Sequence, residues 1–124
     1  MISAKQVRQL QDEGVVFGSH SLSHRSLVAL TPTEIAREHF RSRCPLEKIL
    51  GRPVQAISYP YSSNNAVIRH LASACGYLYG VTTRQSSCRF NDPLLGLPRI
   101  EINGHDNLEQ FIAKLTHEDR RVSD

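Results

Sequence analysis

The sequence predicts an α/β fold in which helices and strands alternate along a chain of 124 residues. Short runs rich in β-branched and aromatic residues recur along the chain, bounded by glycine, proline or small polar residues, as buried strands are. Amphipathic segments of about ten residues or more separate most of these runs, and that length is typical of crossovers between parallel strands. The predicted element order is α-β-α-β-α-β-β-α.

The first predicted helix spans residues 3–13 and is amphipathic, with Val7 and Leu10 on its apolar side. A serine at its start can cap the helix, and Gly14 can end it. Val15–Phe17 follows at once, and its β-branched and aromatic residues predict a buried strand.

The second predicted helix begins at residues 31–34, which read Thr-Pro-Thr-Glu. Thr31 is a capping-box threonine, Pro32 is the first helical residue, and the glutamate completes the box three residues after the threonine. Apolar positions continue as far as Gly51, which is a plausible C′ residue. Pro45 interrupts this run and removes a backbone donor, so we expect a kink or two shorter helices.

The second half of the chain continues the alternation with shorter elements. Each apolar run begins or ends at proline, glycine or asparagine, which are the residues that punctuate strands and helices. The predicted elements are a strand at 53–61, a helix from 64 or 65 to 75, a strand at 77–83, a loop at 84–96, a strand at 97–102 and a helix at 108–115.

Composition excludes several classes of protein. The 40% hydrophobic and 22% charged fractions are those of a globular domain, and no apolar run approaches the length of about 20 residues that spans a membrane. The three cysteines are widely spaced, which argues against a disulfide framework or a thiolate zinc site. The net charge of +3 is scattered, so nucleic-acid binding is not expected. The N-terminus lacks a signal-peptide pattern, so we expect a cytoplasmic protein, or an extracytoplasmic one if an N-terminal segment is missing.

The histidines of residues 15–27, VVFGSHSLSHRSL, are the first candidates for a functional site. His20 and His24 follow the predicted strand, in a small-residue loop of the kind where α/β folds place their chemistry. With three residues between them, the two rings share one face if the segment turns helically, and both could bind one metal ion. The alternative is a hydrogen-bonded loop histidine beside an exposed one.

Several segments in order resemble the polysaccharide deacetylase family with the NodB homology domain. They read GSHSLSHRSL, TPTEI, LGRPVQAISYPYSSNN, ACGYLYGVTTR and LPRIEING, and together they extend over nearly the whole chain. The resemblance implies an irregular (β/α) barrel, here a partial barrel that lacks the N-terminal strands, with residues 1–124 forming a single domain. It also implies metal-dependent removal of N- or O-acetyl groups from an acetylated polysaccharide.

The resemblance also assigns roles to individual residues. His20 and His24 match the two histidine ligands of the family's metal motif, and the implied cofactor is one divalent metal, zinc being the expected ion. Tyr61 matches the tyrosine whose backbone N–H helps to form the oxyanion hole, and Pro60 precedes it in the same motif. Arg99 matches an arginine of the LPRI-like strand, where a substrate-pocket role and a surface salt bridge both remain open.

One motif of the family is absent from this chain. Its members carry two adjacent aspartates at the end of an early strand, one as general base and one as third metal ligand, and this sequence has no Asp-Asp pair. Two imidazoles underfill a catalytic zinc site, which usually has three protein ligands. A third ligand could come from Asp106, from a neighbouring subunit or from nowhere.

Three interpretations therefore remain open from the sequence. The chain is a deacetylase-like domain truncated at its N-terminus, a non-catalytic relic that binds glycan or assembles with a partner, or a fragment that begins downstream of the true start. Loss of the first strands would leave an open sheet edge, through which a second copy could pair.

Overall fold

A computed structural model describes residues 1–116 and contains a three-stranded parallel sheet. The strands are β1 (Ala56–Ser58), β2 (Tyr79–Gln85) and β3 (Leu97–Arg99), in the order β1-β2-β3. Ile57 lies opposite Gly80, and Val81 lies opposite Leu97. The predicted α/β class and parallel pairing are confirmed, while closure into a partial barrel stays a prediction.

Four α-helices and three short 3₁₀ turns complete the described part of the chain. The helices begin where the sequence places caps: the Ser3, Thr31 and Asn65 side chains each accept a hydrogen bond from a backbone N–H of the first turn. The helices are α1 (Ala4–Asp12), α2 (Pro32–Leu50), α3 (Ala66–Ala74) and α4 (Leu108–Thr116), and the 3₁₀ turns are Leu27–Ala29, Pro60–Ser62 and Leu94–Gly96.

Helix α2 is continuous through Pro45, so the expectation of two shorter helices was wrong. Arg43 and Glu47, on either side of the proline, form an ion pair of 2.8 Å. The Arg43 Nε also donates to the Val54 carbonyl oxygen, and the Glu47 carboxylate accepts from the Val54 N–H. These contacts fix both sides of the proline against the segment that leads into β1, which offsets the missing backbone donor.

The predicted buried strand at Val15–Phe17 was also wrong. Val15 is 44% exposed and Val16 is 81% exposed, and the Val15 N–H donates to the Leu10 carbonyl at the end of α1. Pairing with the sheet begins only at Ser19, which forms a parallel bridge with Ile57. The end of α1 therefore uses the backbone donor that a strand would have needed.

The core lies between the sheet and helices α2 and α3. Its buried apolar residues come from nearly every element in the first two thirds of the chain: Val7, Leu27, Leu30, Ile35, Leu50, Val54, Ile57, Tyr59, Ile68, Ala72 and Tyr77. None of the helices within residues 1–116 has the length and apolar character needed to cross a membrane.

Gly80 allows β2 to approach the end of β1 closely. The buried Tyr59 donates its hydroxyl to the Leu95 carbonyl oxygen at 2.8 Å, across the face of Gly80. A Cβ at Gly80 would lie 2.6 Å from the Tyr59 oxygen and 2.9 Å from the Leu95 oxygen. Burial raises the pKa of Tyr59 to about 12, so the hydroxyl remains a donor at neutral pH. This contact fixes the turn before β3 against the strand that leads to the candidate site.

We expect Gly80→Ala to lower the free energy of unfolding by about 1–3 kcal/mol, because the added methyl group must displace the Tyr59–Leu95 contact. Urea unfolding measures the change. Gly104→Ala is the matched control, since nothing lies within 4 Å of a Cβ at Gly104. Equal stability of the two variants would contradict the packing described for Gly80.

Candidate metal centre

Two loops meet at the carboxyl end of β1 and bring the two predicted histidines together. One loop is the segment that follows the Ser19 bridge, and the other is the Pro60–Ser62 turn that follows β1. The Nε2 atoms of His20 and His24 lie 3.1 Å apart. The structure thus brings together two residues that the sequence related by their spacing and by the family motif, although the segment between them is not helical.

A backbone contact fixes the tautomer of His20. Its Nδ1 lies 2.8 Å from the Ser58 carbonyl oxygen. Because a carbonyl only accepts, the Nδ1 is the protonated nitrogen and donates. In the neutral ring this leaves a lone pair on the His20 Nε2, which can accept a hydrogen bond from the His24 Nε2 or bind a ligand in its place. Metal-binding histidines are commonly oriented by such a bond on the other ring nitrogen.

Both loops contain left-handed backbone at residues other than glycine. Within residues 1–116 the non-glycine residues with positive φ are Ser21, His24, Tyr61 and Ser62, with φ between 55° and 63°. Such conformations cost roughly 1–3 kcal/mol each and cluster at functional sites, where the surrounding contacts maintain them. Here the Ser21 Oγ accepts from the His24 N–H, and the Ser62 Oγ accepts from the Thr83 N–H on β2, each at 3.0 Å.

Glu38 on α2 binds the histidine loop through its carboxylate. It is 7% exposed, and its carboxylate accepts from the Leu22 N–H at 3.0 Å, the Ser23 N–H at 2.9 Å and the Ser23 Oγ at 2.7 Å. Burial acts to raise the pKa of Glu38, but these donors outweigh it and hold the pKa below its ordinary value. Glu38 was not predicted as a site residue, although its position three residues after Ile35 places a carboxylate on the apolar side of the helix.

Tyr61 and Pro60 lie beside the histidine pair in the turn after β1. The Tyr61 ring is 72% exposed, and its centroid lies 4.9 Å from that of His24. Within residues 1–116 the Tyr61 N–H donates to no acceptor. Pro60 is buried, and Tyr59, which precedes it at the end of β1, is part of the hydrophobic core.

Arg99 lies apart from this cluster. It is on β3, where its Nε donates to the Thr82 carbonyl oxygen at 2.7 Å, and it lines a surface cavity of about 350 Å³ together with Thr83 and Gln85. It makes no hydrogen bond to either histidine or to Tyr61. Arg99 forms no ion pair in the described part of the chain, so its role in a pocket stays a prediction.

The histidine pair fits one side of a metal site. Two nitrogens that bind one zinc ion at about 2.0–2.1 Å lie about 2.8–3.4 Å apart at bond angles near 90–110°, and the observed separation is 3.1 Å. In residues 1–116 no third His, Cys, Asp or Glu joins them. Asp106 instead binds the Lys114 ammonium and the Asn103 N–H. The described residues therefore offer two candidate ligands, His20 and His24, and no third.

Comparisons with known proteins show the family to which the chain belongs. The family model described as polysaccharide deacetylase matches residues 2–80. The Bacillus subtilis (strain 168) protein YxkH, which its name places among polysaccharide deacetylases, is 24% identical over 102 residues, covering 82% of this chain and 37% of YxkH.

Two solved structures are similar in fold and sequence. The Streptococcus pyogenes deacetylase PplD, in complex with acetate, has a TM-score of 0.86 and 27% identity, covering 91% of this chain and 50% of that one. The polysaccharide deacetylase BC0361 of Bacillus cereus has a TM-score of 0.80 and 26% identity, covering 92% of this chain and 36% of its own. This chain thus spans at most half the length of these relatives. Because the family model covers well over half of its residues, the chain belongs to the polysaccharide deacetylase family.

Proposed function

We propose that this chain contributes two metal ligands and an oxyanion donor to a site that hydrolyses acetyl groups on a sugar polymer. The observation that carries the proposal is the convergence of the His20 and His24 Nε2 atoms, with the His20 tautomer set by Ser58. Membership of the family supports the reaction class. An exposed donor in the adjacent turn supports the placement of a substrate carbonyl beside the histidines.

His20 and His24 would hold one divalent metal, with zinc as our choice because neutral imidazole suits it. Such an ion, when bound, acts as a Lewis acid on the acetyl carbonyl and lowers the pKa of water. The Tyr61 N–H would then donate to the carbonyl oxygen as negative charge develops there. This role uses the backbone of Tyr61, which is left-handed, and does not require its exposed side chain.

Hydrolysis also needs a base to accept the proton of the attacking water. No carboxylate joins the histidine pair in residues 1–116, so we infer that the base and the third ligand come from outside that range. A general base contributes roughly 10²–10⁴-fold to such reactions, and this chain acting alone would be correspondingly slow. The alternative, a non-catalytic domain that binds glycan or assembles through its open sheet edge, is an outcome of the activity test.

Glu38 makes the proposed site sensitive to acid. Its pKa in the folded protein lies below the ordinary value of 4.5, because the charged form accepts three hydrogen bonds from the histidine loop. Its stabilisation is therefore fully present above pH 4.5 and is lost as the pH falls through the lower folded-state pKa.

We expect the zinc-loaded chain to release acetate slowly from an acetylated chito-oligosaccharide, and His20→Ala to reduce the rate to that of buffer. Enzymatic determination of acetate measures both. His70→Ala, which alters an exposed histidine on α3, is the control and should retain the rate. Acetate release that persists in His20→Ala would contradict the proposed site, and no release from the unmodified chain would favour the non-catalytic alternative.

We expect Glu38→Gln to lower the free energy of unfolding at pH 7 by about 1.5–3 kcal/mol, because the amide places its own donors against those of the loop. The variant should also lose less stability than the unmodified protein between pH 7 and pH values below 4.5, since it lacks the titrating group. Urea unfolding at a series of pH values measures both effects. Glu101→Gln is the control, because the Glu101 side chain makes no hydrogen bond in the described residues. Equal acid sensitivity of Glu38→Gln and Glu101→Gln would show that Glu38 is not the titrating group that stabilises the histidine loop.

A further inference from the structure

A second cavity adjoins the candidate metal centre on the β2 side of the Pro60–Ser62 turn. Its volume is about 350 Å³, and its polar lining includes Ser62, Asn64, Arg69 and Arg84. Ser62 directly follows Tyr61, whose ring contacts His24. The cavity therefore adjoins the turn that contacts the histidine pair, and its volume is within the range of small-molecule sites.

Hydrogen bonds fix Arg69 in the wall of this cavity. Its Nη1 donates to the Asn64 Oδ1 at 2.7 Å, and the Asn64 Nδ2 donates to the Ser62 carbonyl oxygen at 2.9 Å. A Cβ at Gly96 would lie 3.4 Å from the Arg69 Cδ, so the stem of the arginine packs closely against the turn before β3. The guanidinium is thereby linked to the same turn that carries the Tyr61 N–H.

The charge of Arg69 is not neutralised by an ion pair within residues 1–116. Arg84 differs, because its Nη2 pairs with the Asp92 Oδ1 at 2.6 Å. The other Asp92 oxygen accepts from the Arg89 N–H at 2.7 Å. Both oxygens of this carboxylate are therefore used within the protein. Among the described residues, the cavity wall thus contains Arg84 with its charge neutralised and Arg69 without an ion-pair partner.

We propose that this cavity binds the carboxylate of a sugar unit next to the acetylated one, so that the substrate is an acidic polymer bearing acetyl groups. The acetylated polymer in this inference rests on the proposed function, whereas the preference for an acidic sugar rests on the cavity alone. A guanidinium offers parallel N–H donors that match a carboxylate, which supports Arg69 as the recognising group. A neutral sugar offers only uncharged oxygens to the same donors.

The test measures binding of the disaccharide of glucuronate and N-acetylglucosamine to the full chain without added metal. Changes in the amide chemical shifts of NMR spectra report the binding. The methyl ester of the same disaccharide is the matched ligand, because it removes only the charge. We expect the acid to bind roughly fivefold more tightly than the ester at low ionic strength, with the shifts centred on Ser62 and Asn64.

Arg69→Gln should bring the two affinities together, and Arg69→Lys, which keeps the charge without the planar donors, should retain part of the preference. Arg8→Gln changes the net charge equally on α1 and should retain all of it. Equal affinity for acid and ester, no binding of the acid, or the same loss in Arg8→Gln and Arg69→Gln would overturn the proposal. His20→Ala should keep the preference, which separates a failure of this cavity from a failure of the deacetylase proposal.

Discussion

The contact between His20 and the Ser58 carbonyl connects the candidate site to the sheet. It depends on the Ser19 bridge beside β1, which places the next residue over the carboxyl end of that strand. A small shift of this pairing would separate the His20 ring from the Ser58 carbonyl oxygen, so that the other tautomer of His20 could also form. The position of His20 at the end of β1 is thus set by a parallel contact of a single residue, Ser19, beside the three-stranded sheet.

Strained backbone in the two loops is maintained by polar contacts from elsewhere in the fold. Glu38 holds the histidine loop from α2, and Ser62 holds the following turn against β2. Both contacts use backbone N–H groups, those of Leu22 and Ser23 for Glu38 and that of Thr83 for Ser62. The capped start of α2 fixes where Glu38 lies along the helix, which relates a local sequence signal to the geometry of the metal centre.

Local signals in the sequence predicted most of the fold. Helix caps depend on residues three positions apart, so the starts of α1, α2 and α3 followed from the sequence. Val15–Phe17 failed as a strand because the end of α1 takes its backbone, and helix α2 passed through Pro45 because of contacts distant in sequence. In the site, the family motif indicated the histidine pair, although the spacing argument assumed a helical turn that the loop does not form. The role of Glu38 depends on how helix α2 packs against that loop, and its position three residues after Ile35 indicated only which side of the helix it occupies.

Calorimetric titration of the metal-stripped chain with zinc measures whether the histidine pair binds a metal ion. We expect one site with a dissociation constant in the micromolar range, which both His20→Ala and His24→Ala abolish and His70→Ala retains. Absence of binding, or binding that survives either substitution at the pair, would leave the loop without a metal-binding role.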